Sequence, residues 1–219
     1  MDGDRFRRAS LAIWERMAPG WDARHAWMEA TARPVIDRML DRLAPGPGDT
    51  VLDLAAGSGV VGFAAASLVA PGGRVIVSDF SPRMVEAAAR QAAALGLDNA
   101  EARVLDAERL ALPDAAVDGV LCRWGFMLMG DPAAALREAR RVLRTGGRIA
   151  FAVFGAADDN PWVTLPTRVL EDLGHAAPRE PGTPGILALA DAERLAALVA
   201  AAGFTGVVIE PVAFSWQFR

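Results

Sequence analysis

Val51-Leu52-Asp53-Leu54-Ala55-Ala56-Gly57-Ser58-Gly59 is an apolar run that ends in an acid and then breaks into a glycine turn. Val51, Leu52 and Leu54 have the near-continuous hydrophobicity of a strand covered on both faces, as in a parallel sheet. Gly57 and Gly59 permit backbone angles, and a closeness of approach, that a side chain forbids. The next residues, Val60-Val61-Gly62-Phe63-Ala64-Ala65-Ala66, are alanine-rich and apolar, which suits a helix lying on that sheet. Strand, turn and helix in this order bring bare backbone to a helix start, where a nucleotide-sized ligand can approach. The spacing Gly57-x-Gly59-x-x-Gly62 satisfies the dinucleotide fingerprint G-x-G-x-x-G. Asp53 argues against a dinucleotide, because a carboxylate beside the turn repels a diphosphate and favours a cation.

Upstream, residues 5–17 and 26–43 read as amphipathic helices, the second through Trp27, Thr31, Val35, Met39 and Leu43. Pro45-Gly46-Pro47-Gly48 ends that region and delivers the chain to the first strand. Downstream, 74–78 reads as a second strand, and Ser81-Pro82 as an N-cap with proline at the first position of a helix that reaches Leu95 and stops at Gly96. Residues 102–105 and 117–122 read as the third and fourth strands. Asp131-Pro132 starts another helix, whose end carries Arg140, Arg141 and Arg144. Gly146-Gly147 ends that helix, and 149–154 reads as an apolar fifth strand. From 155 to 190, Pro161, Pro166, Pro178, Pro181 and Pro184 predict an insertion without a long element. A helix over 191–202, stopped by Gly203, is followed by 206–211 and by Phe214, Trp216 and Phe218 in alternation, which predicts a closing antiparallel strand pair. Alternating strands and helices predict one Rossmann-like α/β domain: seven strands, mostly parallel, an antiparallel last strand, and helices on both faces.

Composition fits one ordinary globular domain of 219 residues with 53% hydrophobic content. The formal charge of −4 argues against nucleic-acid binding. Cys122 is the only cysteine, so an internal disulfide is impossible and a cysteine-based zinc site is not expected. No apolar run has membrane-spanning length, and Met1-Asp2-Gly3-Asp4-Arg5 lacks the start of an export signal, so a cytoplasmic protein is expected. Lysine and tyrosine are absent, which removes both from the candidate bases. The chain stops at Arg219 within its expected last strand, so it is expected to be a trimmed product.

Three acids close three successive strands. Asp53 follows the first, Asp79 the second, where a carboxylate can accept both hydroxyls of a ribose, and Asp106 the third, where it can accept from an adenine amino group beside the Ala107 amide. S-Adenosylmethionine carries an ammonium and a sulfonium and no phosphate, so it suits Asp53. With these residues in place the chain resembles the class I S-adenosylmethionine-dependent methyltransferases, particularly the group of the ubiquinone/menaquinone-biosynthesis C-methyltransferases. Residues 51–59 look like the family's first motif. Val77-Ser78-Asp79-Phe80-Ser81-Pro82-Arg83-Met84 looks like its second, and Asp106-Ala107-Glu108 with Leu112-Pro113 like its third. Residues 135–147 are similar to the helix and turn before the fifth strand. Ala55 stands where the first glycine is usual, and Thr145 where proline is common.

The resemblance implies that Asp53, Gly57 and Ser58 surround the methionine part of the cofactor, Asp79 the ribose, and Asp106 and Ala107 the adenine. Ala55, Gly59 and Phe80 complete the contacts of those motifs, and Arg123 forms a wall beside the sulfonium. It further implies an N-terminal helical lid (1–44), a cofactor-binding core (45–154), an acceptor-side insertion (155–190) and a last helix and strand pair (191–219). The reaction is in-line displacement on the sulfonium methyl by a small-molecule acceptor, for which proximity supplies much of the rate and no metal is needed. A base matters only for a protonated acceptor, and His25, between Trp21 and Trp27, is the candidate; His175 is a weaker one. Trp14, Trp21, Trp124, Phe126 and Trp162 are candidates for an apolar acceptor pocket. Cys122 reads as buried packing. An NAD-dependent oxidoreductase using Gly57, Gly59, Gly62 and Asp79 is the alternative, but it leaves Asp53 and Asp106 without a purpose. A non-catalytic binding module is a third reading.

Overall fold

The computed structural model describes residues 3–175 and 183–216. Two N-terminal helices, α1 (Gly3–Ala23) and α2 (His25–Leu43), precede the first strand, β1 (Thr50–Asp53). Then follow α3 (Val60–Val69), β2 (Arg74–Asp79), α4 (Pro82–Leu95), β3 (Ala100–Val104), β4 (Val117–Arg123), α5 (Pro132–Val142), β5 (Leu143–Ala152), α6 (Pro161–Asp172) and α7 (Ala192–Ala201). The sheet has the order β3-β2-β1-β4-β5 and every pairing is parallel. Progress from β1 through α3 to β2 runs one way across the sheet, and progress from β4 through α5 to β5 runs the other way. Right-handed crossovers therefore place α3 and α4 on one face and α5 on the opposite face. The direction reverses between β1 and β4, and in such sheets the crevice outside the carboxyl ends at that point takes the ligand.

Local chemistry explains the boundaries that position this crevice. Ser81 caps α4 by accepting from the Met84 amide at 3.2 Å, with Pro82 at a position that needs no donor, and Gly96 ends the helix in the left-handed conformation. Asp131 caps α5 in the same way through the Ala134 amide at 2.9 Å, but the helix ends at Val142, so Arg144 and Gly146-Gly147, expected at its end, lie in β5. The core runs along both faces of β1 and β4, where Val51, Leu52, Leu54, Val120 and Leu121 are fully buried.

The sheet corrects the expectation of seven strands. It has five, all parallel, and among the described residues 206–216 form no strand, so the closing antiparallel pair is not there. Val207, Val208 and Ile209 are exposed and hydrogen-bond to no neighbouring strand, while Phe214 packs against Trp124 with ring centroids 5.5 Å apart. Side-chain stacking of the aromatic residues takes the place of a ladder, since alternation only reports a half-buried surface. Phe218 lies outside the described residues.

The insertion also differs from expectation, because α6 forms across Pro161 and Pro166. Pro161 falls in the first turn, where its missing N–H costs nothing. Of the remaining expected breakers, Pro184 lies in a bend outside any helix, and Pro178 and Pro181 lie outside the described residues.

Candidate active site

The three acids meet at the carboxyl edge of the sheet but in different surroundings. Asp53 is almost fully buried; its Oδ2 accepts from the Gly62 amide at 2.7 Å, and its Oδ1 is buried with no hydrogen-bond partner. Burial pushes this carboxyl up to about 7, against the pull of the Gly62 amide and the Arg123 guanidinium. Asp79, also buried, accepts from the Gly57 amide at 3.0 Å through Oδ2 and from the Ser81 amide at 2.9 Å through Oδ1. Burial raises it to about 6. Asp106 sits just beyond β3 and is half-buried. Its Oδ1 accepts from the Glu108 amide at 2.9 Å, and its Oδ2 lies 3.2 Å from Nε of Arg7 on α1. Ala107 beside it is buried.

The glycine turn is shaped by these acids. Ala55, Gly57 and Gly59 all have positive φ, at 50, 57 and 90°. A Cβ on Gly57 would meet nothing within 4 Å, so the backbone there faces open space. Gly62 has another duty: a Cβ would stand 2.9 Å from Val77 Cγ2 and 3.0 Å from Asp53 Oδ2. The third glycine of the apparent dinucleotide fingerprint thus serves helix-to-strand contact and an amide bond to Asp53. Ser58 is buried, and its Oγ lies 3.1 Å from Nδ1 of His25. His25 is itself buried at the start of α2, which lowers its pKa. Phe80 is half-buried between Asp79 and Ser81.

Arg123 ends β4, two residues beyond Leu121, which pairs with Asp53. Alternation along the strands turns both Asp53 and Arg123 towards α2 and α3. The Nη1 of Arg123 lies 3.7 Å from Sδ of Met28, its guanidinium sits 4.3 Å above the Trp124 ring, and its Nε is buried without a partner. Desolvation lowers it to about 10. Trp124 adopts φ +62°, a conformation rare for a bulky residue, and turns its ring into an aromatic cluster. Phe154 stacks on it at 5.1 Å, Trp216 lies at 5.6 Å, and Trp162 touches both Phe154 and Trp216 at 5.4 and 5.3 Å.

Of the expected pocket residues, Trp124 and Trp162 join this cluster. Trp21 lies elsewhere, between α1 and α2, 6.1 Å from Trp14. Phe126 is fully buried, edge-on to Phe151 at 5.0 Å. Cys122 is buried and its thiol is pushed up to about 12, so it stays protonated at neutral pH. Sequence reading did not find Arg7 or Glu15, and met Glu108 only as a member of the third motif. Glu15 accepts from Ser81 Oγ at 2.5 Å and Glu108 from Arg7 Nη2 at 2.6 Å, fastening α1 over the ends of β2 and β3. The only signal for Arg7 and Glu15 was acid and base on the polar side of an N-terminal helix.

The arrangement suits a ligand with a cationic end and a ribose. An ammonium at Asp53 Oδ1 finds an acceptor with no other partner, and hydroxyls at Asp79 find free lone pairs on both oxygens. Among the described residues no group of three or more His, Cys, Asp or Glu is placed to hold a metal ion. No helix among them is long and apolar enough to cross a membrane.

Comparisons with known proteins agree with this chemistry. Residues 45–176 match the family described as Methyltransferase domain. The chain is 39% identical over 140 residues to the nocamycin O-methyltransferase of Saccharothrix syringae, covering 64% of this chain and 49% of that protein. It is 33% identical over 190 residues to the demethylmenaquinone methyltransferase of Clavibacter sepedonicus, covering 83% of this chain and 72% of that one. The chain thus spans about half the length of the first relative and more of the second. A chain of the Haloferax volcanii complex between the Trm112 methyltransferase activator and a methyltransferase superposes with a TM-score of 0.65 at 26% identity, over 87% of this chain and 75% of that one. With the domain match over most of the chain and a relative of this similarity, the chain belongs to the class I S-adenosylmethionine-dependent methyltransferases, in the group of the menaquinone and ubiquinone C-methyltransferases.

Proposed function

We propose that the protein transfers a methyl group from S-adenosylmethionine to a small-molecule acceptor by in-line displacement. The observation that carries this reading is the buried, unpartnered Oδ1 of Asp53 at the glycine turn, which needs a cationic donor and opposes a diphosphate. The relatives named above are methyltransferases whose names give small molecules, nocamycin and demethylmenaquinone. When bound, the cofactor supplies a methyl already activated by a positive sulfur. The chain's own part is to bind and to orient. Asp53 holds the ammonium, with Ala55, Gly57, Ser58 and Gly59 lining the methionine end. Asp79 takes the ribose hydroxyls beside Phe80. Asp106 and Ala107 take the adenine edge, and Arg123 walls the site on the β4 side.

Residues 1–44 act as a lid, which the bonds of Arg7 and Glu15 to the strand ends support. The 155–190 segment flanks the acceptor side, with Trp124 and Trp162 excluding water there. His25, kept neutral by burial, is the candidate to take a proton from an acceptor that arrives protonated, at the nitrogen not engaged by Ser58. An NAD-dependent oxidoreductase is not favoured, because the buried Asp53 carboxyl beside the turn opposes a diphosphate.

The test is transfer of label from methyl-labelled S-adenosylmethionine to a panel of phenols, hydroquinones, amines and thiols. Labelled product from at least one class is expected. Cofactor binding with no product from any class would overturn methyl transfer and favour a binding module.

A further inference from the structure

A cavity of about 370 Å³ opens between α1 and α2. Its apolar walls are Met17, Trp21, Trp27 and Met28, and its charged lining groups are Arg16 and Arg24. No acidic side chain lines it, and among the described residues neither arginine has an ion-pair partner. A second cavity, of about 500 Å³ between α2 and α3, contrasts with it: there Arg33 is spent on Asp37 at 2.8 Å and on Glu29, and acids crowd the rim. The α1–α2 cavity also touches the site described above. Met28 is the residue against which Arg123 lies at 3.7 Å, and Trp27 sits 5.5 Å from Trp216 of the aromatic cluster. Indole rings and thioethers pack on flat apolar bodies, and guanidinium forks bind a carboxylate in two-pronged fashion and a phenolate through its single charged oxygen.

We propose that this cavity takes the methyl acceptor, and that the acceptor is an anionic ring compound, its carboxylate or phenolate against Arg16 and Arg24 and its rings between Trp21 and Trp27. This assignment rests on the methyl-transfer reading for the word acceptor; the cavity's preference for an anionic ring does not. Arg16 and Arg24 are specificity-determining side chains, exposed at their outer ends, so their replacement leaves the fold intact.

The probes are 2-naphthoate and its uncharged counterpart naphthalene-2-carboxamide, titrated calorimetrically into the protein saturated with S-adenosylhomocysteine. The wild type is expected to bind naphthoate about five- to tenfold more tightly, the range for charge-assisted bonds at a partly exposed site. R16Q/R24Q should lose that preference while still binding the carboxamide, and R16K/R24K should keep part of it. W21L should weaken both probes. Equal affinity of the wild type for the two probes, or a preference that survives in R16Q/R24Q, would overturn the proposal. A separate titration with S-adenosylhomocysteine alone distinguishes the two readings. If it does not bind while naphthoate keeps its preference, methyl transfer falls and the anion-binding cavity stands.

Discussion

Gly62 is small because two neighbours already hold the space its side chain would take. Val77 Cγ2 and Asp53 Oδ2 would stand 2.9 and 3.0 Å from a Cβ, and both are fixed on strands. Gly62→Ala should therefore destabilise the protein by about 2 kcal/mol through overpacking, read as a lower urea midpoint with unchanged slope. A midpoint equal to that of the wild type would show that α3 can move off the sheet. At this scale the sequence was readable where an atom type carries the chemistry: Asp53, Asp79 and the positive-φ glycines Gly57 and Gly59 stand where their types and spacing require. It was less readable where a neighbour decides. Nothing in the sequence shows that Ala55 and Trp124 adopt positive φ, or that His25 turns inward to Ser58 instead of outward from an amphipathic helix. Those outcomes depend on what packs opposite each residue.

Among the elements, α5 is tied to the loop before β4 by two side chains, Glu138, which accepts from the Leu110 amide at 2.8 Å, and Arg141. Arg141 donates to the carbonyls of Leu110 and Leu112 at 2.9 and 2.8 Å and to Glu138 and Asp114 at 2.8 and 2.7 Å. Its partners hold its pKa above the usual arginine range. Arg141→Ala leaves the Leu110 and Leu112 carbonyls without this donor and Glu138 with the Leu110 amide alone, and should cost about 2 kcal/mol. Thermal unfolding of the variant checks this, and a loss within error of zero would mean that water replaces the guanidinium. Elements with local punctuation were legible: α4 and α5 start at Ser81-Pro82 and Asp131-Pro132 as capping chemistry requires. The segment after α7 was not, because its alternation of large apolar residues is shared by a strand and by a strip of rings laid on Trp124 and Phe154. Only the packing partner separates the two. For α6, Pro161 opens the helix where its missing N–H costs nothing, while Pro166 sits inside it against the expectation of a break.

For the molecule as a whole, two buried carboxyls near neutrality couple folding, ligand and proton. Asp53 and Asp79 titrate near 7 and near 6 in the fold, above their ordinary values, because burial disfavours their charge. The native state thus binds more protons than the unfolded chain between about pH 4 and pH 7, so these groups' contribution is full below pH 4 and lost as pH rises through 6 and 7. A ligand that sets an ammonium against Asp53 and hydroxyls against Asp79 needs the carboxylates, and has the opposite slope. S-Adenosylhomocysteine affinity should rise about tenfold or more from pH 5.5 to pH 8, with protons released on binding. Calorimetry in two buffers of different ionisation enthalpy measures both. A flat affinity with no proton release would remove Asp53 and Asp79 from contact with the ligand.

The central claim is that a carboxylate at a glycine turn selects a sulfonium nucleoside over a dinucleotide. Its most direct test is calorimetric titration of the wild-type protein with S-adenosylmethionine and, separately, with NADH. Saturable one-to-one binding of S-adenosylmethionine and none of NADH is the predicted result. Binding of NADH with no heat from S-adenosylmethionine would contradict it.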